Sequence, residues 1–71
     1  MPPNEPVSVN VRGMKCPWPV LRAARAMRGA DAVLVEADDP MAPAELAALA
    51  TAQGWAFEAL SDHRFSLRRP G

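Results

Sequence analysis

The segment Arg12-Gly13-Met14-Lys15-Cys16-Pro17-Trp18-Pro19 holds the chain's only cysteine. A lone thiol offers nucleophilic chemistry. It offers no internal disulfide cycle, because no second cysteine can resolve it. Pro17 suits the first turn of a helix, which sets Cys16 at or near the N-cap. Unpaired backbone N–H groups and the positive end of the helix dipole favour a thiolate there. Lys15 and Arg12 are near in sequence, and Arg22 is near by helical spacing; such cations lower a thiol's pKa further. Gly13 supplies a turn, and Pro17 and Pro19 stiffen the turn into the helix and fix the direction of the sulfur. A rigid, exposed, electropositive thiolate is what nucleophilic sulfur chemistry needs. The competing reading makes Cys16 a small buried hydrophobe. A lysine before it, a proline after it and a helix start are unusual surroundings for a core cysteine.

Other residues admit two readings each. Trp18 lies off the expected buried stripe, where it either docks a partner or covers a helix end. Arg12, Lys15, Arg22, Arg25 and Arg28 make the first third of the chain basic. That is either a solvated face or a field that steers acidic partners towards the thiol. Asp38 and Asp39 suggest acid–base or metal chemistry, or else a turn with a helix cap before Pro40. If the strands that lead to Cys16 and to this pair are parallel neighbours, both share one sheet edge. The two aspartates can then orient the site or a partner. His63 is the only histidine and falls in a hairpin turn, so it reads as surface; without a Cys–His pair a protease-like mechanism is disfavoured.

The elements that must position Cys16 are set by local pattern. Residues 1–6 read as a loose, proline-rich tail, and 7–71 as a single domain. Val7, Val9 and Val11 alternate with Ser8, Asn10 and Arg12, which predicts a strand over 7–12. A helix comes next over 17–28, with Pro17, Val20, Leu21, Ala24 and Met27 on its buried stripe and Gly29 as its stop. Residues 32–38 form a strand, and DDPMAP leads into a second helix with Leu46, Leu49 and Ala50 inward and Gly54 at its end. Residues 55–60 and 64–68 form a hairpin across Ser61-Asp62-His63. Two right-handed crossovers set both helices on one face. The expected class is α/β: a two-layer sandwich, β-α-β-α-β-β, on a four-stranded mixed sheet. Pattern alone leaves the last strand either at the edge or inserted between the second and third.

Composition narrows the function. The chain has 71 residues, eight basic and eight acidic, for a formal net charge of zero. Such a balance argues against stable nucleic-acid binding. No cysteine–histidine set exists for structural zinc, and no metal or cofactor is expected. The start, MPPNEPVSVN, has no apolar signal core, and no stretch reaches the roughly 18–20 apolar residues of a membrane span. A cytoplasmic monomer with a reduced thiol is the expectation.

Cys16-Pro17-Trp18-Pro19, preceded by Arg12-Gly13-Met14-Lys15 and a valine strand, resembles the TusA/SirA family of sulfur carriers. The resemblance runs over 7–69 and takes in Ala37-Asp38-Asp39-Pro40 after the second strand, where the family commonly has an Asp-Pro turn. It implies strand order 1-2-4-3. It implies that Cys16 accepts sulfane sulfur as a persulfide from a cysteine desulfurase, a rhodanese-like protein or thiosulfate. The sulfur then goes to an acceptor in tRNA thiolation, cofactor assembly or sulfur oxidation. In this reading Arg12, Gly13, Lys15, Pro17 and Pro19 support the thiolate, while Trp18, Arg22, Asp38 and Asp39 meet partners. One departure is Asn10, where many members carry aspartate; it leaves Arg12 without a defined acidic partner. The alternative function is a non-catalytic interaction or regulatory module that binds through the basic face and Trp18.

Overall fold

The computed structural model describes residues 6–70; the tail expected over 1–6 lies, apart from Pro6, outside them. The elements are β1 (Val7–Asn10), α1 (Trp18–Met27), β2 (Ala32–Glu36), α2 (Ala42–Gln53), β3 (Ala56–Ser61) and β4 (Arg64–Arg68). They form one mixed sheet in the order β1-β2-β4-β3. β1 and β2 run parallel, with Val9 opposite Val35, as a strand–helix–strand crossover requires. β4 returns antiparallel between β2 and β3. The insertion that pattern left open is thus settled in favour of the order the resemblance implied.

Register explains which face is buried. Val33 sits beside Leu67, and Val35 beside Phe65, and all four are buried. Ser8, Leu34, Ser66 and Glu58 make up an alternate row on the other face. Both helices supply the buried face: Ala23 and Met27 from α1, Ala42, Leu46 and Ala50 from α2, in one core with the four strand residues, Val11 and Ala37. Burying a side chain the size of Leu46 contributes about 1.5–3 kcal/mol. The Phe57 and Phe65 rings stack with centroids 6.0 Å apart and add to the β3–β4 pairing.

Two expectations need correction. The buried stripe of α1 is Pro19, Ala23 and Met27, spaced by four, with Val20 and Ala26 partly buried. Leu21 is 51% exposed and Pro17 is exposed. The helix carries more apolar residues than one face can hold, and the small Ala23 marks the side turned to the core. β1 ends at Asn10, and burial deepens along it and past it: Val7 is exposed, Val9 partly buried and Val11, just after the strand, buried. As an edge strand, β1 has a neighbour on one side only.

The C-terminal ends of the two helices are held by one glycine and one arginine. Gly54 takes φ 75° after α2, and Trp55 N–H donates to the Ala50 carbonyl at 2.8 Å. Past the end of α1, the Arg69 guanidinium donates to the carbonyls of Met27 and Ala30. It also lies over the Trp55 ring, 5.3 Å from the centroid. One arginine thereby ties the residues after β4 to the end of α1 and to the α2–β3 loop.

Candidate functional site

Because β1 and β2 are parallel, the loops that leave them emerge at one edge of the sheet. The first loop carries Cys16 and the second carries Asp38 and Asp39. After β1, Gly13 takes φ 80°, a conformation suited to glycine, and Met14 N–H closes the turn onto the Val11 carbonyl at 3.1 Å. Asp38 Oδ1 accepts from Gly13 N–H at 2.9 Å. Asp39 Oδ2 accepts from Cys16 N–H at 2.6 Å, while its Oδ1 accepts from Met41 N–H at 3.1 Å. One carboxylate thus bridges the cysteine to the start of α2. The two aspartates, read from the sequence as a turn and as partner contacts, hold the backbone of this loop pair.

Cys16 is exposed, two residues before the first turn of α1. The Cys16–Pro17 peptide is cis, Pro17 occupies the N-cap, and Pro19 is buried in the core. Pro19 therefore acts as a packing anchor for the helix start, and Pro17 as the residue that turns the chain into it. Trp18 is 59% exposed and Met41 57%; with Leu21 they are exposed apolar side chains close to the loop that carries the thiol. Arg22 and Arg25 share the exposed side of α1 with Trp18 and Leu21 at spacings of three and four.

The side chain that meets the sulfur is acidic. The Cys16 thiol donates to Glu45 Oε2 at 2.6 Å. This hydrogen bond pushes the thiol's pKa above its ordinary value, and lost hydration and the charges of Glu45 and Asp39 push the same way. The expected depression by nearby cations is therefore reversed. Arg12 does not face the sulfur: its Nε pairs with Glu36 Oε2 at 3.0 Å, and its N–H rests on Asn10 Oδ1. Lys15 makes no ion pair among the described residues. Glu36 thus supplies the acidic partner that Asn10 left undefined.

In the sequence, Glu45 reads only as an acid at the positive end of α2. Its contact with Cys16 spans 29 positions. The available clue is that the first turn of α2 opens at the same sheet edge as the thiol. His63 also reaches that edge, since its carbonyl accepts from Ala37 N–H at 3.0 Å, and it is exposed. Among the described residues no three acidic, histidine or cysteine side chains gather in a way that could hold a metal.

The family model for sulfurtransferase TusA matches residues 7–68. The chain belongs to the TusA family. Its matched span begins with β1 and ends with β4, so it covers every element of the sheet. TusA membership gives the chain a general role as sulfur carrier or sulfurtransferase, in relay with partner proteins. No curated protein matches the chain. Among the described residues, no helix is long and apolar enough to cross a membrane.

Proposed function

We propose that this TusA-family chain carries sulfane sulfur as a persulfide on Cys16, between a donor protein and an acceptor protein. The observation that carries the reading is an exposed thiol on a loop whose backbone two aspartates tie to the neighbouring loop. A carrier must present one sulfur atom to two different active sites, which demands both reach and fixed aim. In loading, the Cys16 sulfur attacks the outer sulfur of a donor persulfide. The donor's S–S bond breaks, a new S–S bond forms on Cys16, and the proton of the Cys16 thiol ends on the donor's sulfur. The donor supplies activated sulfur, so the chain needs no cofactor of its own.

The supporting roles divide by chemistry. Gly13, Pro17 and Pro19 shape the loop, and Asp38 and Asp39 hold it. Trp18 and Arg22, with Leu21 and Met41 beside them, dock partners: apolar anchors next to a cation fit a protein surface with an acidic rim. Lys15 lies beside Cys16 in the chain and attracts the anionic donor persulfide. Arg12 acts on the loop through Glu36 and not on the sulfur. A cysteine desulfurase or a rhodanese-like protein suits the donor role, in the cytoplasm, where a single exposed thiol stays reduced.

The test incubates reduced protein with a cysteine desulfurase and cysteine, or with a rhodanese and thiosulfate, and measures intact mass. A gain of one sulfur, reversed by reductant and absent in Cys16→Ser, supports the reading. No gain with either donor, while Cys16 still alkylates, moves the function to an interaction module. In that case Arg22→Glu would abolish partner binding and Cys16→Ser would not.

A further inference from the structure

Glu45 stands in the first turn of α2 with one carboxylate oxygen on the Cys16 thiol. Its other oxygen, Oε1, is buried and has no hydrogen-bond partner among the described residues. With one oxygen already unpartnered, losing the partner of the other adds to the cost of a partly buried carboxylate. For the Glu45 side chain that partner is the thiol proton.

Loading sulfur removes this proton. The inner sulfur of a persulfide bears no hydrogen, and the outer sulfur is an anion near neutral pH. The loaded state therefore strips Glu45 of its donor and adds negative charge beside Glu45 and Asp39. We propose that Glu45 is a discharge residue: by accepting the hydrogen bond of the Cys16 thiol it favours the empty carrier, and its charge drives sulfur on to the acceptor. This rests on the reading of Cys16 as a sulfur carrier.

The discharge step balances. An acceptor thiol's sulfur attacks the outer sulfur of the Cys16 persulfide. The bond from Cys16 Sγ to that sulfur breaks, and a new S–S bond forms on the acceptor. The acceptor's proton ends on Cys16 Sγ, where it meets Glu45 Oε2 again. One S–S bond replaces another, so no external oxidant or reductant enters.

The charged groups at this edge of the sheet come from several elements. Glu45 belongs to α2, Asp38 and Asp39 to the β2–α2 loop, and Lys15 and Arg12 to the loop of Cys16 itself. His63 lies in the β3–β4 turn at the same sheet edge. Asp38 and Asp39 face backbone N–H groups, and Arg12 faces Glu36. Glu45 is the group whose side-chain oxygen meets the sulfur.

The experiment equilibrates the full chain, its Glu45→Gln variant and its Glu45→Asp variant with glutathione persulfide and glutathione at fixed ratios. The loaded fraction is read by intact mass. E45Q should load at a persulfide-to-thiol ratio about five- to tenfold lower than the parent, the size of one water-screened charge contact. E45D, with its charge drawn back by one methylene, should fall between them. E45Q should also alkylate with iodoacetamide at lower pH than the parent, which a merely structural role would not cause. Equal loading midpoints in the parent and E45Q would overturn the inference while leaving the carrier reading intact. If E45Q does not fold, an E45D midpoint equal to the parent's overturns it as well. If neither parent nor variant loads although both alkylate, the carrier reading fails, and this inference falls with it.

Discussion

Replacing Asp39 by alanine removes two hydrogen bonds at once, one to Cys16 N–H at 2.6 Å and one to Met41 N–H at 3.1 Å. Asp39 is half-buried, so each bond contributes a net of about 1 kcal/mol. The expected loss is about 2 kcal/mol, which for a chain of this size lowers the melting temperature by roughly 8–16 °C. Asp38→Ala removes one bond, from Gly13 N–H, and should cost about half as much. Urea unfolding with a shared slope, supported by thermal melts, measures both variants. Donor-dependent loading of Cys16 should slow more in D39A than in D38A, because Asp39 holds the cysteine's own N–H. A D39A protein as stable as the parent, or one that loses no more than D38A, would refute the claim that one carboxylate bridges the two loops.

Arg12→Ala should cost under about 0.5 kcal/mol, since its ion pair with Glu36 is exposed, and should leave the pH profile of Cys16 alkylation where it is; urea unfolding and iodoacetamide kinetics check the two halves. Met27→Ala opens the fully buried side of α1 and should cost about 2–5 kcal/mol, against a total of only about 3–5 kcal/mol for so small a core. Its thermal transition should be lost or fall close to room temperature. The Cys16 thiol titrates above its ordinary value in the folded chain, so its contribution to stability is complete below the ordinary thiol range. That contribution is lost as pH rises through the ordinary value towards the folded one. Unfolding measured across alkaline pH should show this decline in the parent and not in Cys16→Ser.

Much of this architecture could be read from local pattern. The alternating valines before Asn10, the β-branched run ending at Glu36 and the prolines and glycines between elements each name a strand, a helix start or a stop. The shared sheet edge of Cys16 and Asp39 came from parallel pairing, which chirality rules make the default. The rotation of α1 could not be read in this manner. Leu21 and Trp18 are as apolar as Val20 and Met27, and only the close approach of Ala23 to the core decides which side faces in. The electrostatics of the thiol failed for a different reason. Sequence proximity puts Lys15 and Arg12 beside Cys16, whereas the fold turns Arg12 to Glu36 and brings Glu45 in from 29 positions away. Arg69 on Trp55 is likewise a contact between distant segments with no local signature.

Tandem mass spectrometry of the donor-treated chain, with a subsequent chase by an acceptor thiol, tests the sulfur-carrier role most directly. The extra sulfur should sit on the peptide that contains Cys16, and it should appear on the acceptor as Cys16 returns to the free thiol. A peptide that gains no sulfur from any donor, or a loaded Cys16 that no thiol can discharge, would contradict that role.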